Sequence, residues 1–332
     1  MDSLTQIVLG AAVGEAVLGK KVGNRAMFYG AIAGTIPDLD VISSFFVDTV
    51  RALEIHRGIT HSVLFSIVFA PIFGWIVSKI DAYKSFKGWS WLFFWALFTH
   101  PILDAHTTWG TQLFWPLDIR LAFKTIFVID PLYTLPFLTF LILAMLRKKD
   151  DPKRQLYNRT GLIVSSGYLA LTFLLKGLSF YQFSAALENQ NIVYQELETK
   201  PAPLNTVLWV ANVKREDDFM IGSYSFFDQS EIQFSHYPKN HHLIQHLLEN
   251  EKMQRMIHIS KGWFTIIEKE GELFFNDLRF GLLSMDEDAS NFVFQYRIVE
   301  NQDGTINFVE TKKDASDGKK LIGELWERVK GR

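Results

Sequence analysis

A chain of 332 residues with 34 Lys and Arg against 36 Asp and Glu has a formal net charge of −2, which supplies no basic field for nucleic acid. The absence of cysteine excludes disulfides, thiolate metal sites and cysteine nucleophiles, so any metal must be held by His, Asp, Glu, water or main-chain oxygen. Aromatic residues make up 14% of the chain and Phe alone occurs 29 times, yet mean hydropathy is only +0.08, so an apolar portion is balanced by a polar one.

The opening Met1-Asp2-Ser3 lacks a basic n-region and does not read as a cleavable signal peptide, so membrane insertion is expected to use the apolar segments themselves. Leu4 to Leu18 is apolar, rich in Gly and Ala, interrupted by Glu15 and short for a full span. Ala26 to Phe46 is apolar but broken by Pro37-Asp38-Leu39-Asp40. Gly10/Gly14 and Gly30/Gly34 have the small-xxx-small spacing that predicts close packing of the first two helices. Ser62 to Ser78 is uncharged and is the cleanest spanning candidate. Trp89 to Leu103 is aromatic-rich, and its Trp89–Trp95 stretch reads as an interfacial belt. Ile126 to Leu146 and Gly161 to Phe180 are each long enough to cross a bilayer.

Lys20, Lys21 and Arg25, then Lys79, Lys84 and Lys87, then the basic run from Arg147 to Arg159 fall in alternate loops, which the positive-inside rule assigns to the cytoplasm. Arg51, Arg57, Arg120 and Lys124 run against that bias. The same alternation puts the His and Asp motifs, and everything after Phe180, towards the outer side.

From about Gln182 the character changes. Thr206–Val213, Met220–Phe227, Gly262–Glu268, Glu272–Phe280, Asn291–Glu300 and Thr305–Val309 read as strands, with Asp303-Gly304 as a hairpin turn before the last. His241–His258 has helical spacing and Lys320–Val329 reads as a closing helix. The expected architecture is therefore an α-helical membrane domain, residues 1–181, followed by a smaller soluble α+β domain, residues 182–332, on the outer side.

Chemistry concentrates in two short motifs at the ends of apolar segments, His56-Arg57-Gly58-Ile59-Thr60-His61-Ser62 and Thr99-His100-Pro101-Ile102-Leu103-Asp104. Ionisable groups are costly near a bilayer and mark function there. His100 and Asp104, four apart, share a helix face, provided Pro101 falls in the first turn after a break. Asp38 and Asp40 suit a non-helical ligand loop. Nitrogen and oxygen donors without sulfur fit a hard or borderline divalent ion, which would acidify water and polarise an ester or phosphoryl oxygen. In this reading some of Asp38, Asp40, His61, His100 and Asp104 hold the metal, carboxylates around it orient the neutral histidines, His56 or His106 moves protons, and Arg57 binds an anionic group. His242 and His246 read as a polar helix surface. Asp277 and Arg279 read as the wet face of a half-buried strand, with a contribution to substrate binding as the alternative.

At these residues the chain resembles the bacterial membrane-bound metal-dependent hydrolases of the YdjM type, once described as a domain of unknown function. The matching pieces are Met1–Gln6, Gly34–Asp40, His56–Ser62 and Thr99–Asp104, with Gly110-Thr111-Gln112 and Trp115-Pro116 also fitting. They cover roughly the first half, and later strands match only through Asp277-Leu278-Arg279. The resemblance implies an integral membrane protein with metal-dependent hydrolase chemistry and carries Asp38, Asp40, His61, His100 and Asp104 over as site residues. Gln6 departs from it: the family often has His there, so Gln6 either supports a ligand or the site binds fewer metals.

The combined expectation is a multi-pass protein of the bacterial plasma membrane that uses one or two divalent ions, zinc foremost, to hydrolyse an ester or phosphoester, lipid-derived if the site lies near the bilayer surface. No nucleic-acid partner is expected, and protein partners are left open. Two alternatives stand: a metal-stabilised anchor whose C-terminal domain senses or binds a partner, and a transporter, which the absence of a clear inverted repeat disfavours.

Overall fold

The computed structural model describes residues 1–283, 291–311 and 318–332. They divide into two compact units, the first comprising Met1–Ser43, Ile55–Leu174 and Pro203–Asn205, the second Ser44–Glu54, Leu175–Ala202 and Thr206–Arg332.

The first unit is helical. Asp2 caps α1 (Ser3–Val22) by accepting from the Thr5 amide at 3.0 Å, and Gly23, at φ 64°, turns the chain into α2 (Asn24–Thr35). The predicted close packing of this pair is present, because a Cβ on Gly30 would sit 2.2 Å from the Gly10 carbonyl oxygen. After α2 a 3-10 segment, Pro37–Phe45, carries Asp38 and Asp40. A short helix α3 (Thr49–Ile55) follows, and then a 3-10 turn at Ile59–His61. Ser62 caps α4 (Val63–Ile80) through the Phe65 amide, and Ser85 caps α5 (Phe86–Asp104).

Pro101 lies inside the last turn of α5 with no break before it, where only the final stretch of hydrogen bonding is affected. The aromatic run at the start of α5 divides by helical phase. Trp89, Leu92 and Phe93 are core, while Trp91 and Trp95 remain exposed, so only those two can serve an interfacial belt.

The segment expected to span from Ile126 is shorter in the structure. Asp130 caps Leu132 and Tyr133, and Pro131 starts α6 (Pro131–Met145), whose 15 residues reach only about 22 Å. Helix α7 runs from Pro152 to Asn189. By length and composition α4 and α7 qualify to cross a membrane. Where α1 and α7 meet, Glu15 and Arg154, 2% and 1% exposed, form a two-pronged ion pair, with Arg154 also donating to Asn24 Oδ1 and the Arg147 carbonyl. Nothing local in the sequence announces this pair, since its members are 139 residues apart.

The second unit has two four-stranded antiparallel sheets. One orders β1 (Glu196–Pro201), β2 (Leu208–Lys214), β3 (Asp218–Ser225) and β4 (Phe234–Pro238) as successive neighbours. The other does the same with β5 (Phe264–Lys269), β6 (Glu272–Leu282), β7 (Phe292–Glu300) and β8 (Ile306–Glu310). The Asp303-Gly304 turn joins β7 to β8 as read from the sequence. The segment expected as one helix from His241 to His258 is split, because the Asn250 side chain caps a fresh start. A 3-10 stretch, His241–Leu247, precedes α8 (Glu251–Ile259). His246 is exposed beside Glu300, in keeping with a polar surface. The last helix, α9 (Gly318–Val329), is tied down by the Arg328 fork on Asp228.

Asp277 and Arg279 correct the sequence reading. They are 4% and 3% exposed, not a wet strand face. The β6–β7 register shifts between Asp277 and Leu282, and at that irregularity the two side chains neutralise each other, with Arg279 Nη2 2.6 Å from Asp277 Oδ2. Helix α3 adds to the same unit. Val50, 1% exposed, enters the core of Met253, Met256, Phe264 and Phe275, and Glu54 accepts two 2.7 Å hydrogen bonds from Arg255.

Candidate metal centre

Three stretches of the first unit bring the ligand set together. The 3-10 segment after α2 supplies Asp38 and Asp40. The turn before α4 supplies His61. The last turn of α5 supplies His100 and Asp104 on one face. One donor atom from each of Asp38, His61, His100 and Asp104 lies within 4.8 Å of all the others. His61 Nε2 is 3.1 Å from His100 Nε2, 3.4 Å from Asp38 Oδ1 and 3.3 Å from Asp104 Oδ2. His100 Nε2 is 3.4 Å from Asp38 Oδ1 and 3.5 Å from Asp104 Oδ2. A tetrahedral ion with bonds of 2.0–2.1 Å has ligand–ligand edges of about 3.3–3.4 Å, so these spacings match such a shell.

The protons reach the same conclusion independently. His100 Nδ1 contacts the Gly34 carbonyl at 2.7 Å, and a carbonyl only accepts, so Nδ1 carries the hydrogen. His61 Nδ1 contacts Thr60 Oγ1 at 3.1 Å and Asp40 Oδ2 at 3.4 Å, while the Thr60 hydroxyl donates to Asp40. Neutral imidazoles so arranged turn their Nε2 lone pairs towards each other and towards two carboxylates. Asp104 Oδ2 is buried with no aligned hydrogen-bond donor. Two imidazole nitrogens and two carboxylate oxygens converging in a buried space form a donor set that a divalent cation fits.

Around the four lies a supporting layer. Asp40, its side chain 1% exposed, accepts from the Arg57 amide at 2.7 Å and faces His56 Nδ1 at 3.1 Å. Burial pushes the Asp40 carboxyl up, but the His56 contact and the Arg57 amide outweigh it and hold the group below its ordinary range. At Asp38 burial likewise pushes up and is outweighed by His100 and His61. Gln6 Nε2 donates to Asp104 Oδ1 at 3.0 Å and to the His100 carbonyl at 3.3 Å, so Gln6 orients the Asp104 carboxylate. The α-amino group of Met1 also pairs with Asp104 Oδ1.

Arg57 is buried, with Nε 3.1 Å from Asp104 Oδ2 and Nη1 donating to Thr107 Oγ1 at 2.7 Å. Its φ of 57° is a left-handed conformation unusual for a non-glycine residue, and local strain of this kind is held only where surroundings over-determine it. His56 is the outermost of the group, its side chain 35% exposed. His106 lies apart: Nδ1 donates to the Ile102 carbonyl, the ring sits against Phe123 and Phe173, and burial pushes its pKa down.

The seven site residues read from the sequence thus fall in one neighbourhood. Thr60, Thr107 and the Gly34 carbonyl are the supports that sequence reasoning missed. Thr60 lies inside the histidine motif and was open to notice, whereas a backbone carbonyl 66 residues from its imidazole has no sequence signature.

A family model, described as the YdjM inner membrane protein, matches residues 1–183. A curated relative, the inner membrane protein YbcI of Escherichia coli (strain K12), is 29% identical over 112 residues, which is 34% of this chain and 64% of that protein, so the match spans less than two thirds of the relative's length. No solved structure matches the chain.

Proposed function

The chain belongs to the YdjM inner membrane protein family, and from that premise we propose that it is a multi-pass hydrolase of the plasma membrane acting on an ester or phosphoester with the help of one divalent ion, zinc foremost. The observation that carries this reading is the convergence of four donor atoms, one each from Asp38, His61, His100 and Asp104, all within 4.8 Å of one another. When bound, a divalent ion supplies Lewis acidity towards an ester or phosphoryl oxygen and makes water more acidic.

The remaining roles belong to side chains already in place. Asp40, with Thr60 between, keeps the His61 proton on Nδ1 and so keeps Nε2 available as a ligand. His56 joins Asp40 to solvent and exchanges protons with it. Arg57 and Gln6 hold the two oxygens of Asp104 in orientation, and the Arg57 guanidinium lends positive charge to the rim where an anionic group would dock. The loop charges favour an outward-facing site with the C-terminal domain on the outer side.

Elemental analysis of detergent-purified protein, with a phosphoester and carboxylic-ester turnover screen, tests the reading. About one divalent ion per chain is expected, lost in His61→Ala and His100→Ala, and hydrolysis lost in Asp104→Asn. Metal-free protein, or metal content indifferent to those substitutions, rejects it. A second reading, a structural metal in a non-enzymatic anchor, is favoured by one observation: the side chains of His61, His100 and Asp104 are wholly buried, as in closed structural sites. It predicts bound metal, loss of folding stability on chelation, and no turnover in either screen.

A further inference from the structure

We propose, resting on the hydrolase reading above, that the ligand-bearing end of the first unit is immersed in the interfacial zone of the bilayer and takes its substrate from there: a lipid whose acyl chains lie against Leu39, Val41, Ile42, Phe114, Leu117 and Ile119 while its head-group ester or phosphoester reaches Asp38. The segments involved are connections, which in water are normally polar. Here the 3-10 segment bearing Asp38 and Asp40 exposes Leu39 at 51%, Val41 at 57% and Ile42 at 49%, and the loop between α5 and α6 exposes Phe114 at 50%, Leu117 at 57% and Ile119 at 50%. That loop backs the metal site directly, its Thr111 hydroxyl donating to the His61 carbonyl, its Gln112 amide to the Arg57 carbonyl, and its Leu113 carbonyl accepting from the Val63 amide.

The apolar surface continues along the chain into the helix flanks that suit lipid, through Phe28 and Ile32 of α2 before the 3-10 segment, and through Leu64 and Ile67 of α4 after the His61 turn. Exposed apolar residues that recur along the chain from helix flank to site-bearing loop have lipid as their natural occupant. Depth is limited to the interface, because irregular backbone cannot face pure hydrocarbon, and Asp118 and Arg120 within the loop keep it at head-group level. Access to the centre runs the same way. Of the four candidate ligand side chains only that of Asp38, 23% exposed, reaches the surface, and the exposed Leu39 and Val41 follow it one and three residues later on the same 3-10 segment.

The cysteine-free chain permits a direct test. Nitroxides at Val41→Cys and Leu117→Cys, in the full protein reconstituted into phosphatidylethanolamine/phosphatidylglycerol vesicles, should collide more with oxygen than with a water-soluble nickel chelate, as at the lipid control Ile76→Cys and opposite to the water control Lys320→Cys. A phosphatidylethanolamine with a diazirine on its acyl chain should label residues 39–42 and 114–119, and Val41→Gln with Leu117→Gln should cut that labelling severalfold while metal content and labelling of α4 persist. Long-chain phospholipid in vesicles should be turned over at least tenfold faster than its water-soluble short-chain counterpart, with the ratio collapsing in the double variant. Nickel-accessible nitroxides, labelling confined to α4 and α7, or equal turnover of long and short chains would overturn the proposal. Failure of the hydrolase reading itself looks different: no metal and no turnover of either substrate.

Discussion

Asp40→Asn isolates what the supporting layer contributes to the proposed metal centre. In the structure Asp40 Oδ2 accepts from the Arg57 amide at 2.7 Å and receives the Thr60 hydroxyl at 3.4 Å, with His61 Nδ1 also at 3.4 Å, while Oδ1 faces His56 Nδ1 at 3.1 Å. Asparagine is nearly isosteric and keeps one acceptor, which the Arg57 amide will claim. Its amino group then faces His56, which can meet it with the other tautomer, so the loop retains its hydrogen bonds. What disappears is the negative charge that favours the proton on His61 Nδ1 and raises the basicity of Nε2. Losing an outer partner of a metal-binding histidine weakens metal affinity about 10- to 100-fold, equivalent to about 1.4–2.8 kcal/mol. Competition against a chromophoric chelator reads the dissociation constant of zinc or cobalt directly, in detergent, with the thermal midpoint as a check on folding. His236→Gln, at an exposed imidazole beside Asp218, should leave the constant unchanged. A folded Asp40→Asn protein whose affinity stays within threefold of wild type would refute the assignment of Asp40 to orienting His61.

Other expectations follow from features away from the ligands. Glu15→Ala leaves the Arg154 guanidinium buried with only Asn24 and the Arg147 carbonyl as partners, and should cost about 3 kcal/mol, whereas Glu15→Leu with Arg154→Met should recover most of it; unfolding in bicelles decides, and equal losses in both would contradict the pairing argument. Gly30→Ala forces a Cβ to within 2.2 Å of the Gly10 carbonyl oxygen, so α1 and α2 must part at a cost of about 1–3 kcal/mol, while Gly167→Ala, with nothing within 4 Å, should be neutral or stabilising; a melting curve for each separates the two. The Arg255 hydrogen bonds hold the Glu54 carboxyl below its ordinary range. Because the folded value is depressed, the pair stabilises above the unfolded glutamate value, about 4.3, and the benefit is lost as pH falls through the folded value. The advantage of wild type over Glu54→Gln, about 0.5–1 kcal/mol for so exposed a pair, should be present at pH 6 and shrink on acidification; a constant gap would exclude the ion pair as its source.

The legible parts of the chain were those whose information is local. The Asp-x-Asp knot, the His56–His61 turn and the His100/Asp104 helix face each state their geometry within a few residues, and their chemistry is dear enough near lipid to stand out. Glycine spacing announced the α1–α2 contact for the same reason. What escaped the reading depends on partners far off in sequence. Strand β1, with Glu196, Glu198, Thr199, Lys200 and Pro201, has little strand pattern of its own and forms because β2 pairs with it along its length. Asp277 and Arg279 alternate like a solvent face, yet an irregular register lets them cancel each other inside. Asn250 resets what looked like one helix into two, a capping event that apolar periodicity does not register. Helix α3, seven residues long, owes its existence to Val50 and Glu54 finding partners about 200 residues later.

That last helix limits how the molecule can be dissected. Because Ser44–Glu54 folds with the C-terminal unit while the chain on either side returns to Asp40 and His56, the polypeptide has no single peptide bond at which the two halves separate cleanly. A truncation after the helical region would leave Val50 with no hydrophobic seat and Glu54 with no Arg255. The segment Ser44–Glu54 therefore takes its fold from the late half of the chain, and any survey of shortened homologues should find the α3 insertion shortened or repolarised wherever the β-sheet half is missing.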